Sequence, residues 1–307
     1  MEREIGFIGL GKMGKNIVLN LLGKDYKVVA WNRSPGPLDE VKAKGAVGAQ
    51  SVEEMAKALG GRRRLVWVML PAGEVTNDMI DRLAGLLNKG DIVVDGSNSN
   101  FKNSIRLHET LSGKGILHLD AGCSGGPYGA LHGMCIMVGG DREAYDYAEE
   151  LFRDASVENG FLYTGPSGSG HFVKMVHNAI EYGMMQSIAE GMELISDIGP
   201  YKGLDTAAIC DLWNNGSVIK SYLVELAGRA IRSNDRSLSL IAPYVNDTGE
   251  GRWAIQTAIE YNIPFTAITE SLYERFRSRS EQRFSVRMLA ALRHEFGGHD
   301  VKKEDAK

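Results

Sequence analysis

The hexapeptide Gly9-Leu10-Gly11-Lys12-Met13-Gly14 constrains the fold of this chain more than any other segment, because of what flanks it. It follows the apolar run Ile5-Gly6-Phe7-Ile8 and opens a helical pattern, so it is a G-x-G-x-x-G turn between a strand and a helix. In that setting the first glycine makes the turn, the second admits a pyrophosphate against the backbone, and the third lets helix pack on strand. The helix start then offers amide donors and positive potential to phosphate. Gly9, Leu10, Gly11, Lys12, Met13 and Gly14 are therefore expected to bind a dinucleotide. Beyond them, Val28 to Trp31, Leu65 to Leu70 and Ile92 to Asp95 read as further buried strands, with amphipathic helical patterns between. Continuous apolar runs of this kind belong to parallel strands covered on both faces, hence a doubly wound α/β sheet of Rossmann type. Ile116 to Ala121, Cys135 to Gly139 and Phe161 to Thr164 would extend it.

The pattern changes after the link Gly165-Pro166-Ser167-Gly168-Ser169-Gly170. Beyond it the chain reads as helices, which divides it into a dinucleotide-binding domain, 1–164, and an all-α domain, 165–307. A chain of 307 residues with 43% hydrophobic and 24% charged content is ordinary for a soluble globular protein. The net charge of -4 offers no attraction to nucleic acid or to an acidic membrane. Arg62-Arg63-Arg64 reads as a solvated loop, and the tail from Lys302 to Lys307 as disordered. Cys123, Cys135 and Cys210 are odd in number and without metal-like spacing, which fits a reducing cytoplasm. No apolar run approaches the length of a membrane span, and no leader is expected at the start.

The stretch from His171 to Gly183, HFVKMVHNAIEYG, carries the chemistry. At about 100° per residue, Lys174, His177, Asn178, Glu181 and Tyr182 share one stripe of a helix. Phe172, Val173, Met175, Val176, Ala179, Ile180 and Met184 cover the rest. A surface helix has the opposite balance, so this one is expected to be buried with its polar line facing a cavity. The end of the second strand bears on the choice of cofactor. An NAD enzyme commonly has a carboxylate there for the ribose 2′-hydroxyl, whereas this chain has Asn32-Arg33-Ser34. Arg33 suits a 2′-phosphate, which favours NADP over NAD.

Together these features resemble the 6-phosphogluconate dehydrogenases, within the wider β-hydroxyacid dehydrogenases. The resemblance runs through GLGKMG, DGSNSN at 95–100, SGGPYGA at 124–130, GHFVKMVHNAIEYG at 170–183 and RHEFGGH at 293–299. The chain is similar to a short form that lacks the extra helical repeat of longer members. The resemblance implies Lys174 as general base and later acid, with Glu181 as second acid. It implies that Asn98, Ser124, Gly125, Gly126, His177, Asn178 and Tyr182 hold the sugar acid, and that Arg275 holds its phosphate. Arg293 and His299 match a pair supplied by the neighbouring subunit, so a homodimer or larger homo-oligomer is implied. Leu70 and Asn98 join Asn32, Arg33 and Ser34 in the cofactor-facing set. One departure stands out: where many members carry Lys before Gly-Thr-Gly-Lys-Trp, this chain reads Thr248-Gly249-Glu250-Gly251-Arg252-Trp253. Arg252 is the side chain placed to compensate.

The implied reaction is oxidative decarboxylation of 6-phosphogluconate to ribulose 5-phosphate, in pentose phosphate supply or gluconate breakdown. A free lysine has a pKa near 10.4, so Lys174 must be desolvated or placed near the cationic nicotinamide to act as base, and its apolar helix supplies the first condition. Glu181 lies two turns along the same face, about 10 Å in rise, where it can protonate the enediol. No metal is needed, since the lysine ammonium polarises the carbonyl. The alternatives are a dehydrogenase of 3-hydroxyisobutyrate or tartronate semialdehyde, and a non-catalytic dinucleotide-binding module. The first does not need Arg275, Arg293 and His299, whose cations suit a phosphate. The second does not need Lys174 and Glu181.

Overall fold

The computed structural model describes residues 2–235, 237–280, 284–297 and 300–302. It opens with strands and helices in alternation: β1 (Glu4–Ile8), α1 (Lys12–Leu22), β2 (Lys27–Trp31), α2 (Pro35–Lys42), β3 (Val47–Gly48), α3 (Val52–Ala58), β4 (Leu65–Val68) and α4 (Glu74–Leu83). There follow β5 (Ile92–Asp95), α5 (Phe101–Ser112), β6 (Leu117–Ser124), α6 (Gly126–His132), β7 (Met134–Gly140), α7 (Arg142–Ala155), β8 (Ser156–Gly165) and the long α8 (Ser169–Asp197). The strands form one eight-stranded sheet in the order β3-β2-β1-β4-β5-β6-β7-β8. All neighbours are parallel except β6 and β7, which pair antiparallel from Leu119 opposite Gly140 to Ser124 opposite Cys135.

The unbroken apolar runs are explained by two cores, one on each face of the sheet. Ile5, Phe7, Val28, Leu65, Trp67 and Val94 pack with α1 and α7, while Ile8, Val29, Val66, Val68 and Val93 pack with α3, α4 and α5. Successive side chains of one strand thus enter different cores, so both sets of positions in these strands are apolar. Three features depart from expectation. The two-residue β3 has too little apolar length to stand out in sequence. The strand expected through Leu70 ends at Val68, leaving Met69 and Leu70 in the loop that follows. Arg64 is not solvated: its Nε donates to Asp91 Oδ2 at 2.8 Å and both side chains are largely buried. Asp91 takes up that charge, together with the Arg64 and Asn88 backbone amides.

Two compact units emerge, Met1–Ala179 and Ile180–Lys307, dividing inside α8. The start of α8 groups with the sheet because it touches it directly: a Cβ on Gly122 would lie 2.3 Å from Lys174 Cβ. The second unit continues with a 3₁₀ turn (Gly199–Tyr201), α9 (Thr206–Asn214), α10 (Tyr222–Ser233), α11 (Glu250–Glu260), α12 (Thr266–Arg277) and α13 (Phe284–Gly297). It holds no strand among the described residues. Its core is small, built on Ala207, Cys210, Val224 and Ile231. Among the described residues, no helix is long and apolar enough to cross a membrane.

Candidate active site

The glycine turn has the geometry that its pattern requires. Gly9 has φ +96°, and a Cβ there would meet Met69 O at 2.3 Å. A Cβ on Gly14 would meet Gly9 O at 2.0 Å, whereas around Gly11 nothing lies within 4 Å. The turn is thus closed on the protein side and open where a phosphate would approach. Gly11 caps α1 without a side-chain hydrogen bond, which leaves helix amides for an anion. Lys12 is exposed and Met13 half-buried at the same helix start. Asn32 braces this loop: its Oδ1 accepts from Leu10 N at 2.9 Å while its Nδ2 donates to Ser34 O at 2.8 Å. Arg33 is exposed at the end of β2, and Ser34 caps α2. Leu70 N donates to Ser97 Oγ at 3.3 Å, tying the loop after β4 to the loop after β5.

That second loop leads into the other candidate residues of the first unit. Asn98 adopts φ +51°, a conformation asparagine tolerates better than most residues. Its Oδ1 accepts from Cys123 N at 2.9 Å and its Nδ2 donates to Cys123 O at 3.2 Å, which locks the end of β6. Ser124 follows at once, then Gly125 and Gly126 at φ +121° and +60°, where a side chain would be strained. Burial pushes the Cys123 thiol up to about 12, so it is an inert packing group beside this loop.

From α8, Lys174 enters with only 5% of its surface exposed. Its Nζ lies 2.5 Å from Asn178 Oδ1 and 3.4 Å from His177 Nδ1. His177 Nδ1 is 3.0 Å from Asn178 Oδ1, and its Nε2 is 3.3 Å from Ser124 Oγ. An amide oxygen only accepts, so Asn178 Oδ1 is a shared acceptor between Lys174 Nζ and His177 Nδ1, and the other ring nitrogen of His177 faces the Ser124 hydroxyl. The sequence placed Lys174, His177 and Asn178 on one stripe, and the fold adds Ser124 to them. The apolar remainder of α8 is less buried than expected. Met175 and Ala179 are covered, but Phe172, Val173, Ile180 and Met184 are 38–50% exposed. The polar stripe takes the inner position because Gly122 admits Lys174, which turns part of the apolar face outward.

In the second unit, Tyr182 is 7% exposed and Glu181 half-buried on α8. The Arg275 guanidinium lies 3.6 Å from the Tyr182 ring centroid and donates to Asn246 O at 2.9 Å. It is therefore held in place, unlike its neighbour Arg277, which pairs with Glu274 and Glu270 on the helix surface. Tyr182 Oη accepts from Thr248 N at 3.2 Å, and Thr248 donates its hydroxyl to Glu250. Arg252 does not take the place expected of it. Asp247 binds its Nε at 2.6 Å and Nη2 at 3.1 Å, and Phe276 lies under it at 4.5 Å. Hydrogen bonds from Arg252 and Arg279 hold the buried Asp247 carboxyl below its usual range, so Arg252 is committed to an internal ion pair. Arg293 is exposed on α13, and His299 lies outside the described residues. Among the described residues, no group of three or more His, Cys, Asp or Glu is arranged to hold a metal ion.

Two family models cover nearly the whole chain: the NAD binding domain of 6-phosphogluconate dehydrogenase over residues 4–165, and the 6-phosphogluconate dehydrogenase C-terminal domain over residues 170–307. The chain belongs to the 6-phosphogluconate dehydrogenase family. It is 41% identical to the NAD(+)-dependent, decarboxylating 6-phosphogluconate dehydrogenase of Haloferax volcanii, across 98% of this chain and 99% of that one. With the human decarboxylating enzyme it shares 35% identity across 89% of this chain but only 59% of the human one. That difference fits the short form. The solved Plasmodium falciparum 6-phosphogluconate dehydrogenase, studied with NADP+ and with 6-phosphogluconate, matches with a TM-score of 0.83 at 30% identity. The match covers 99% of this chain and 67% of that one.

The sequence reading missed Asn246, Asp247 and Asp120. Asp120 had a visible signal, a carboxylate inside the apolar run of a buried strand. The other two lie in a loop, where nothing local marks them.

Proposed function

We propose that this chain oxidises and decarboxylates 6-phospho-D-gluconate to ribulose 5-phosphate and CO2, reducing NADP. The observation that carries the reading is the buried amine of Lys174, seated on Asn178 and His177 beside the Ser124 hydroxyl. A dinucleotide with its pyrophosphate held at the Gly9–Gly14 turn would supply the nicotinamide that accepts the hydride leaving C3. Lys174 Nζ takes the C3 hydroxyl proton as the hydride leaves, and its ammonium then faces the new C3 carbonyl. Loss of CO2 sends the carbon–carbon bonding pair toward that carbonyl, and Lys174 returns its proton to the oxygen. Glu181 protonates the enediol carbon while the amine of Lys174 takes back the proton on the C3 oxygen, which restores the carbonyl and completes the product. Ser124, Gly125, Gly126, His177, Asn178 and Tyr182 orient the sugar acid, and Arg275 meets its phosphate. Asn98 acts through Cys123 to hold Ser124 in place.

The NADP preference rests on exposed Arg33, since Asn32 is occupied in bracing the loop. Purified protein mixed with 6-phosphogluconate should reduce NADP faster than NAD, with stoichiometric CO2. A faster rate with NAD overturns the role of Arg33. Reduction with 3-hydroxyisobutyrate alone overturns the substrate.

The functional unit is a homodimer or larger, located in the cytoplasm, with Arg293 and His299 completing a neighbouring site. The small core of the helical unit supports this, as do Leu212, Ile259, Phe284 and Leu289, each more than 60% exposed in the single chain. Sedimentation is expected to return a dimer or higher species, and a fully active monomer overturns the assignment.

A further inference from the structure

We propose that Asp120 is a positioning residue for Lys174, an inference that rests on reading Lys174 as the base. Asp120 is fully buried in β6 and forms no ion pair with a described residue. Its Oδ1 accepts from Gly168 N at 2.7 Å and its Oδ2 from His171 N at 2.9 Å. A carboxylate taken from water needs such partners, and the positive end of α8 supplies them. Because each oxygen holds a different amide of the first turn, the pair fixes both the axial position and the rotation of the helix.

Glycines bring the same helix start hard against the sheet. A Cβ on Gly139 would lie 2.6 Å from Gly170 N, and one on Gly170 would lie 2.2 Å from Asp120 O. His171 is fixed from outside as well, its Nδ1 2.7 Å from the Ser104 hydroxyl. One turn further along α8 stands Lys174, whose Cβ occupies the space a side chain on Gly122 would fill. Asp120, Gly122 and Ser124 alternate along β6 and so face the same side of the strand. One register of one strand therefore carries the anchor of the helix, the seat of the lysine and the hydroxyl that meets His177. A shift of α8 against β6 moves the amine relative to Ser124, and displacements near 1 Å are enough to cost about a hundredfold in rate.

The test is Asp120→Asn, which keeps the shape but replaces one accepting oxygen by a donor facing an amide. The folded variant is expected to lose about tenfold to a hundredfold in kcat, with KM for 6-phosphogluconate and the dissociation constant for NADP unchanged. A wild-type kcat with only a lowered melting temperature overturns the inference, as does a parallel loss of cofactor binding. Should Asp120→Asn not fold, Gly139→Ala decides by the same criteria, because it crowds Gly170 N and Asp120 Oδ1. Loss of folding in both makes the contact a requirement of the fold and also overturns the assignment. A wild-type protein silent toward 6-phosphogluconate removes instead the reading of Lys174 on which this one stands.

Discussion

Lys174→Met is expected to bind NADP as the native chain does and to turn over 6-phosphogluconate about 10²- to 10⁴-fold more slowly. Methionine nearly preserves the volume and the apolar contacts of a side chain that is 5% exposed, so the helix has no reason to move. What disappears is the amine within reach of Asn178 and His177, and with it both proton transfers at the C3 oxygen. A loss of that size corresponds to about 3–5 kcal/mol of transition-state stabilisation. Steady-state nicotinamide reduction measures it, with cofactor titration as the control. Turnover within tenfold of the native rate would move the base to another group, and Glu181 and His177 would be tested next.

The second large effect concerns stability. Trp67 is fully buried in β4, 6.0 Å from the Phe7 ring and 5.8 Å from that of Phe152. Trp67→Ala is expected to destabilise the sheet unit by about 3–5 kcal/mol, through lost transfer energy and the cavity left between β1, β4 and α7. Urea unfolding followed by circular dichroism measures it. The effect should reach the cofactor, since β4 runs directly into Met69 and Leu70 and Met69 O touches the space next to Gly9. A destabilisation below about 1 kcal/mol would mean that the core re-packs around the gap.

How much could be read in advance differs sharply between the two units. In the first, the apolar runs of β1, β2, β4 and β5 and the Gly9–Gly14 turn are local patterns with local causes. A strand buried on both faces must be continuously apolar, and a helix start against a strand must be glycine. The stripe of α8 is local too, because 3.6 residues per turn place Lys174, His177 and Asn178 together. The antiparallel turn of β7 against β6 is not local, since strand direction depends on how the chain crosses the sheet. In the second unit the helices were legible but the fate of their charges was not. Arg252 and Arg275 are the same residue type in similar helical surroundings. One is consumed by Asp247, while the other is held over Tyr182 and tied to the Asn246 carbonyl, with no carboxylate on it among the described residues.

By itself the sequence determined the doubly wound sheet, the glycine turn after β1, the helical second half and the polar stripe that carries Lys174, because each follows from periodicity or from glycine sterics over a few residues. Only the tertiary structure decided which charged groups neutralise one another, that Asn98 serves Cys123, and that Asp120 grips the first turn of α8. Those pairings join residues 25 to 51 positions apart. Hydrogen bonds and ion pairs act over a few ångströms of space, and spacing along a chain carries no record of that distance until the chain has folded.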